Sequence, residues 1–156
     1  MPEPKIVDRP EQHYLGMRKS VPMGEIGTFM DEAFPAVAGY VQTHGIPRAG
    51  APFARFNVID MAGKMEIEVG SPVPDGTPGD GQVFAGTVPA GRYASLTYVG
   101  PYDKLIDANQ ALQEWIQERG LRVAMTEEPD GDHFESRIEV YLTDPAEEPD
   151  EKKWET

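Results

Sequence analysis

The sequence predicts an α+β fold built from a duplicated β-α-β-β unit, and three observations predict it. Two stretches, 25–43 and 102–119, carry apolar residues at helical spacing, and each stops at a glycine, Gly45 and Gly120. Short alternating or β-branched runs bounded by Gly, Pro and Asp flank both stretches. The order then repeats: strand, helix, glycine, one or two further strands. Thr43-His44-Gly45-Ile46 answers Glu118-Arg119-Gly120-Leu121, and 67–72 answers 140–145 with the closing proline in register. Such a repeat lays two sheets edge to edge with both helices on one face. The other face becomes a trough along the pseudo-twofold axis.

The elements follow in order. Residues 1–10 are proline-rich and read as an extended lead-in, and 12–19 as a first strand. In the first helix Ile26, Met30, Phe34, Val37 and Val41 share a face. Pro35 either kinks it or opens a second helical segment, because proline is comfortable only in a first turn. After a connection over 46–52, strands 53–60 and 64–69 form a hairpin around Met61-Ala62-Gly63. The stretch 71–81 is dense in Pro, Gly and Asp and reads as the linker. A short strand at 83–88, a Pro89-Ala90-Gly91 turn and a strand at 92–98 precede the second helix. That helix gathers Leu105, Ala108, Leu112, Trp115 and Ile116 on one side. The chain thus reads as one domain over 1–156, with pseudo-repeats 12–72 and 82–145 joined by the linker 71–81.

The last strand, Ser136-Arg137-Ile138-Glu139-Val140-Tyr141-Leu142-Thr143-Asp144-Pro145, alternates strictly. Ile138, Val140 and Leu142 point one way, and Arg137, Glu139 and Tyr141 the other. The aliphatic side calls for the helices as its partner. That turns Glu139 and Tyr141 toward the trough, together with Glu66 and Glu68 of the matching strand. A lone glutamate in a strand is commonly solvated or salt-bridged, so the stretch by itself decides nothing.

Composition narrows the function. A chain of 156 residues, 39% hydrophobic and 26% charged, suits one globular domain or two small halves sharing a core. No apolar run approaches the roughly 20 residues that span a bilayer, and the N-terminus has no signal-peptide core, so the chain reads as cytoplasmic. The absence of cysteine excludes disulfides, thiolate metal sites and a cysteine nucleophile. His13, His44 and His133 fall at no metal-ligand spacing. There is no Gly-x-Ser-x-Gly, phosphate loop or Ser/His/Asp order, and no metal or cofactor is expected. Fourteen basic against 27 acidic residues give a net charge of −13. That field repels nucleic-acid phosphates and favours cationic partners, while also serving solubility.

Several motifs carry a family resemblance. Ala33-Phe34-Pro35 with Tyr40, His44-Gly45-Ile46, and Ala49-Gly50-Ala51-Pro52-Phe53-Ala54-Arg55-Phe56 resemble the first half of the GyrI-like small-molecule-binding domain. This is also the effector-binding domain of many AraC-type and MerR-type drug-responsive regulators. Val88-Pro89-Ala90-Gly91-Arg92-Tyr93-Ala94, Gly100-Pro101-Tyr102-Asp103-Lys104-Leu105, Trp115, Gly120 and 139–145 match the second half more closely. The resemblance runs from His13 onward. It implies one curved antiparallel sheet with two helices behind it. It also implies an aromatic-lined central pocket holding a buried glutamate, which in the regulators engages cationic lipophilic drugs. Glu139 is the matching position. Some stand-alone relatives are hydrolases of cyclopropane-bearing antibiotics, and others protect DNA gyrase. No helix-turn-helix precedes the domain in this sequence, so a stand-alone member is expected. The sequence stops at Trp154-Glu155-Thr156, where relatives continue into a last strand, and that strand is expected to be trimmed or replaced.

A carboxylate among aromatic rings loses water and favours its neutral form unless a cation compensates. A hydrophobic cation does so, and each aromatic face adds roughly 0.5–2 kcal/mol. The expected ligand is therefore a lipophilic, often cationic aromatic small molecule, held by Glu139 and Tyr141 with Tyr93, Phe56 from the first half and Trp154 from the tail. Each aromatic has plain core packing as its alternative. Arg137, on the same strand face as Glu139, competes by neutralising it internally. A second reading gives Glu139 and Tyr141 catalytic roles in hydrolysing a strained electrophile, the acid polarising it and the carboxylate activating water. A third has the acidic surface engage a basic protein such as a topoisomerase.

Overall fold

The computed structural model describes residues 2–156. Its strands are β1 (Lys5–Arg9), β2 (Gln12–Pro22), β3 (Phe53–Ile59), β4 (Lys64–Pro72), β5 (Phe84–Val88), β6 (Gly91–Ser95), β7 (Met125–Glu128), β8 (Gly131–Phe134) and β9 (Ile138–Val140). Two α-helices occur among the described residues, α1 (Ile26–Thr43) between β2 and β3 and α2 (Leu105–Glu118) between β6 and β7. Every ladder is antiparallel, so the class is α+β, as the sequence predicts. Among the described residues, no helix is long and apolar enough to cross a membrane.

The two helices are built alike, which gives the repeat a structural meaning. Each is preceded by a 3₁₀ turn, Met23–Glu25 or Tyr102–Lys104, entered from an extended proline, Pro22 or Pro101. Each ends in the same cap. Gly45 and Gly120 take positive φ (62° and 64°), a left-handed conformation that costs glycine little. Their amides reach back to Gln42 and Gln117, and the next amides, of Ile46 and Leu121, to Val41 and Ile116. That pair of bonds satisfies carbonyls the helix would otherwise leave open. Pro35 lies inside an uninterrupted α1 and opens no second segment.

The chain divides into two compact units. The smaller comprises Met1–Pro10, Ala90–Val123 and Tyr141–Thr156. Here the expected lead-in is a strand: β1 pairs with β6 from Lys5 opposite Ser95 to Arg9 opposite Gly91. Pro4 and Pro10 bound β1 and do not interrupt its ladder. The C-terminal residues take a strand's place. Tyr98 and Thr156 exchange amide bonds, Gly100 donates to the Trp154 carbonyl, and Leu142 to that of Glu155.

The larger unit comprises Glu11–Pro89 and Ala124–Val140. Its strands run β5-β2-β4-β3-β8-β7, with β9 also on β3. One face of β2 and β4 packs on α1. Leu15, Val37, Tyr40, Val41, Val73 and Val83 form one buried cluster. Val21, Phe29, Ala33, Met65, Ile67 and Val69 form another. Each fully buried aliphatic side chain contributes about 1.5–3 kcal/mol to folding. The stretch 71–81, read as a linker, lies wholly inside this unit. Ser71 and Pro72 end β4, and Val73 is in the core. Asp80 Oδ1 then accepts from the amides of Gln82 and Val83, which turns Val83 inward.

The strand around Glu139 differs in sense from the expectation. The strand proper, β9, spans Ile138–Val140, and Leu142 is exposed. Glu139 is opposite Ala54 on β3, which is opposite Val69 on β4. Residues directly opposite share a sheet face. Glu139 therefore lies on the α1 face, whereas Ile138 and Val140 lie with Arg55 and Phe53 on the other. Alternation fixes which residues share a side but not which side meets the helix. The aliphatic residues find Phe53, which is buried, and Glu139 does not share a face with Glu66 and Glu68.

Candidate functional site

The sheet face turned away from α1 holds an organised polar cluster. It begins with space: Gly16 is opposite Gly70, and Gly86 opposite Tyr14. A Cβ on Gly70 would sit 2.5 Å from Phe53 Cζ and 2.8 Å from Tyr14 Cδ2, and one on Gly86 2.6 Å from Tyr14 Cζ. The absent side chains leave room for rings. Tyr14 meets Phe53 edge-on at 4.9 Å and Phe84 at 5.9 Å between ring centres.

Within that setting Glu68 is 2% exposed. A carboxyl group so deep needs partners, and it has them. The Tyr14 hydroxyl donates to Oε1 and the Asn57 amide to Oε2. Arg18 Nε and Nη2 approach the same Oε2 at 3.4 and 3.3 Å. Arg55 Nη1 donates to the Tyr14 hydroxyl at 3.1 Å and to the Thr87 carbonyl at 3.0 Å, and Nη2 to the Glu135 carbonyl at 2.8 Å. Strands stand about 4.8 Å apart, and β3 and β5 are three steps apart in the sheet. One arginine on β3 bridges them only because the sheet curls around Tyr14. Burial first, and then the adjoining Glu68 carboxyl, push the Tyr14 phenol well above the usual tyrosine range, so it stays a donor at neutral pH.

The residues singled out from sequence fall into two groups. In the larger unit, Phe56 is opposite Ile67 and packs at the margin of the α1 core, on the face that Glu139 shares. Glu139 is half-buried. The Arg137 guanidinium lies 5.0 Å from the centre of the Phe134 ring. Burial draws its pKa below the ordinary arginine value, while the charges of Glu139 and Asp132 oppose that shift. In the smaller unit, Tyr141 meets Tyr102 edge-on at 5.7 Å, and Trp154 lies against the same ring at 4.8 Å. Tyr93 lies beneath the Arg9 guanidinium at 5.8 Å. Tyr102 thus joins Tyr141 to Trp154. No grouping of His, Asp or Glu suited to a metal ion occurs among the described residues.

Comparison with known proteins completes the picture. The family model described as the GyrI-like small molecule binding domain matches residues 2–156. The chain belongs to this family. No curated protein matches it. Among solved structures, EcmrR in its DNA complex aligns over 98% of this chain and 54% of that one (TM-score 0.77, 19% identity). The chain thus spans about half of that EcmrR chain. The EcmrR C-terminal domain alone aligns over 98% and 92% (0.76, 18%). SAV2435 bound to tetraphenylphosphonium aligns over 99% and 90% (0.62, 11%). At these identities the likeness is one of fold.

This GyrI-like domain therefore holds two carboxyl groups of different kinds. Glu139 is the carboxyl group expected from the sequence motifs. Glu68 is the charged residue the fold buries most completely. Sequence reasoning put Glu68 in the trough without a role and passed over Tyr14, Arg18, Arg55 and Asn57. The available signal was Tyr14-Leu15-Gly16-Met17-Arg18, whose alternation sets an aromatic, a glycine and a cation on one face. It acquires meaning only once the register brings Gly70 and Glu68 alongside.

Proposed function

We propose that this domain binds lipophilic, often cationic aromatic small molecules, with Glu139 as the carboxyl group that meets the ligand's charge. The observation that carries this reading is the placement of Glu139. It is half-buried on the α1 face, opposite the small side chain of Ala54 and diagonal to Phe56. Diagonal cross-strand neighbours are about 7–8 Å apart, within reach of an aromatic side chain. A carboxyl group beside an aromatic ring suits a flat cation. The organic cation bound by the structural neighbour SAV2435 supports the same ligand class. Arg137 is the internal competitor, since the charge of Glu139 acts on it.

The test is a matched pair of dyes of one shape, one cationic and one neutral, titrated by fluorescence against the native protein and Glu139→Gln. We expect the cationic dye to bind about tenfold more weakly to the variant, or about 1.4 kcal/mol. The neutral dye should be little affected. Equal losses for both dyes would remove the electrostatic role.

A further inference from the structure

On the opposite face of the same sheet, Arg18 already occupies the arrangement that an organic cation would seek. Its guanidinium carbon lies 4.6 Å from the centre of the Phe84 ring, and its Nε and Nη2 approach Glu68 Oε2. A carboxyl oxygen on one side and an aromatic face on the other form a recognition pair for a planar cation. The occupant is loosely held. Both nitrogens share one oxygen at 3.3–3.4 Å and do not span two in a parallel fork, because Oε1 is taken by Tyr14. Oε2 also accepts from Asn57. The Arg18 side chain is 49% exposed, whereas Glu68 is 2% exposed. The carboxyl group is thus fixed by two buried-side partners, Tyr14 and Asn57, and covered by a third whose side chain is half exposed to water.

We propose that Glu68 and Phe84 form a second cation-binding site, distinct from the Glu139 face, and that the Arg18 guanidinium is its resident occupant. The ligand class is a planar amidinium or guanidinium carrying an aromatic group. Its charged end takes over the bonds to Oε2, and its plane stacks where Arg18 now lies on Phe84. Tyr14 sets the orientation: its hydroxyl accepts from Arg55 and donates to Oε1, which keeps that oxygen occupied and leaves Oε2 for the cation. Arg18 acts as a built-in competitor that lowers affinity for every external cation at this site.

Benzamidine is the probe, followed by calorimetry and by amide shifts of β2 and β5 in the full chain. All proteins carry Glu139→Gln, so that capture at that carboxyl does not register and the outcome is independent of its role. We expect Arg18→Ala to bind benzamidine at least tenfold more tightly than the protein retaining Arg18, with the largest shifts around Phe84. Adding Glu68→Gln should abolish the gain. Because Glu68 is buried and that change risks the fold, Phe84→Leu provides a second arm, in which the Arg18→Ala gain should fall severalfold with the carboxyl group intact. Affinity unchanged by Arg18→Ala overturns the proposal, as does a gain that survives Phe84→Leu undiminished.

Discussion

Burial decides what a polar contact means at each residue of this domain. The pair of His133 and Asp130, 2.6 Å apart across the β7–β8 turn, stands in solvent. The hydrogen bond to Asp130 raises the His133 pKa above the ordinary histidine value, with further help from the charges of Asp130, Glu128 and Glu66 and some opposition from burial. The same bond holds Asp130 below the usual carboxylate range. Because the folded-state pKa of His133 is raised, its contribution to stability is complete below the unfolded value and lost as pH rises through the folded one. The contribution of Asp130 is present above its unfolded value and lost as pH falls through its depressed pKa. The pair therefore works between the two, in mildly acidic solution. Titration of the His133 ring protons by NMR should give a midpoint above that of an ordinary histidine, returning toward it in Asp130→Asn. A midpoint indifferent to that change would mean that the bond is absent in solution.

Elements respond to space as well as to charge. β2 and β4 can flank the Tyr14 ring because Gly16 and Gly70 face each other, and no other residue type leaves the Phe53 and Tyr14 edges free. Gly70→Ala should therefore cost about 1–3 kcal/mol, the usual range for overpacking a tight site. The loss would appear as a lower denaturant midpoint at unchanged slope, and Phe53→Leu in the same chain should restore part of it. A Gly70→Ala variant as stable as the native protein would show that the rings yield freely. This space left by missing side chains was invisible in the sequence, where Gly16 and Gly86 lie inside expected strands and Gly70 just beyond the end of one. The helices were legible because a buried stripe recurs every 3.6 residues, and so were their ends, because Gly45 and Gly120 meet one steric need. β1 was not, because its prolines bound a strand whose partner, β6, lies some 85 residues away in sequence and leaves no local trace. The linker reading of 71–81 failed for a related reason. Pro, Gly and Asp mark a turn, yet Val73 and Val83 at its margins anchor it to the α1 core. For the site, the pattern at 138–140 located Glu139, but its face depended on pairing with Ala54.

For the whole molecule the governing quantity is the net charge of −13. Its effect reaches beyond any single carboxyl group, because screening in 0.1 M salt acts over about 10 Å and dilute salt lets the summed field extend further. On the proposed reading, a cation approaching either sheet face of the larger unit is drawn in before it touches Glu139 or Glu68, so charge belongs chiefly to the association step. Once the ligand is seated, a carboxyl group and an aromatic face hold it at short range, where salt penetrates less. The two scales therefore separate kinetically. In stopped-flow fluorescence, raising salt from about 20 to about 500 mM should slow association of a cationic dye by roughly tenfold while changing its dissociation much less. A neutral dye of the same shape should be nearly insensitive in both rates. If the cationic dye instead associates equally fast at both salt concentrations, the acidic surface plays no part in capture, and recognition rests on the local carboxyl groups alone.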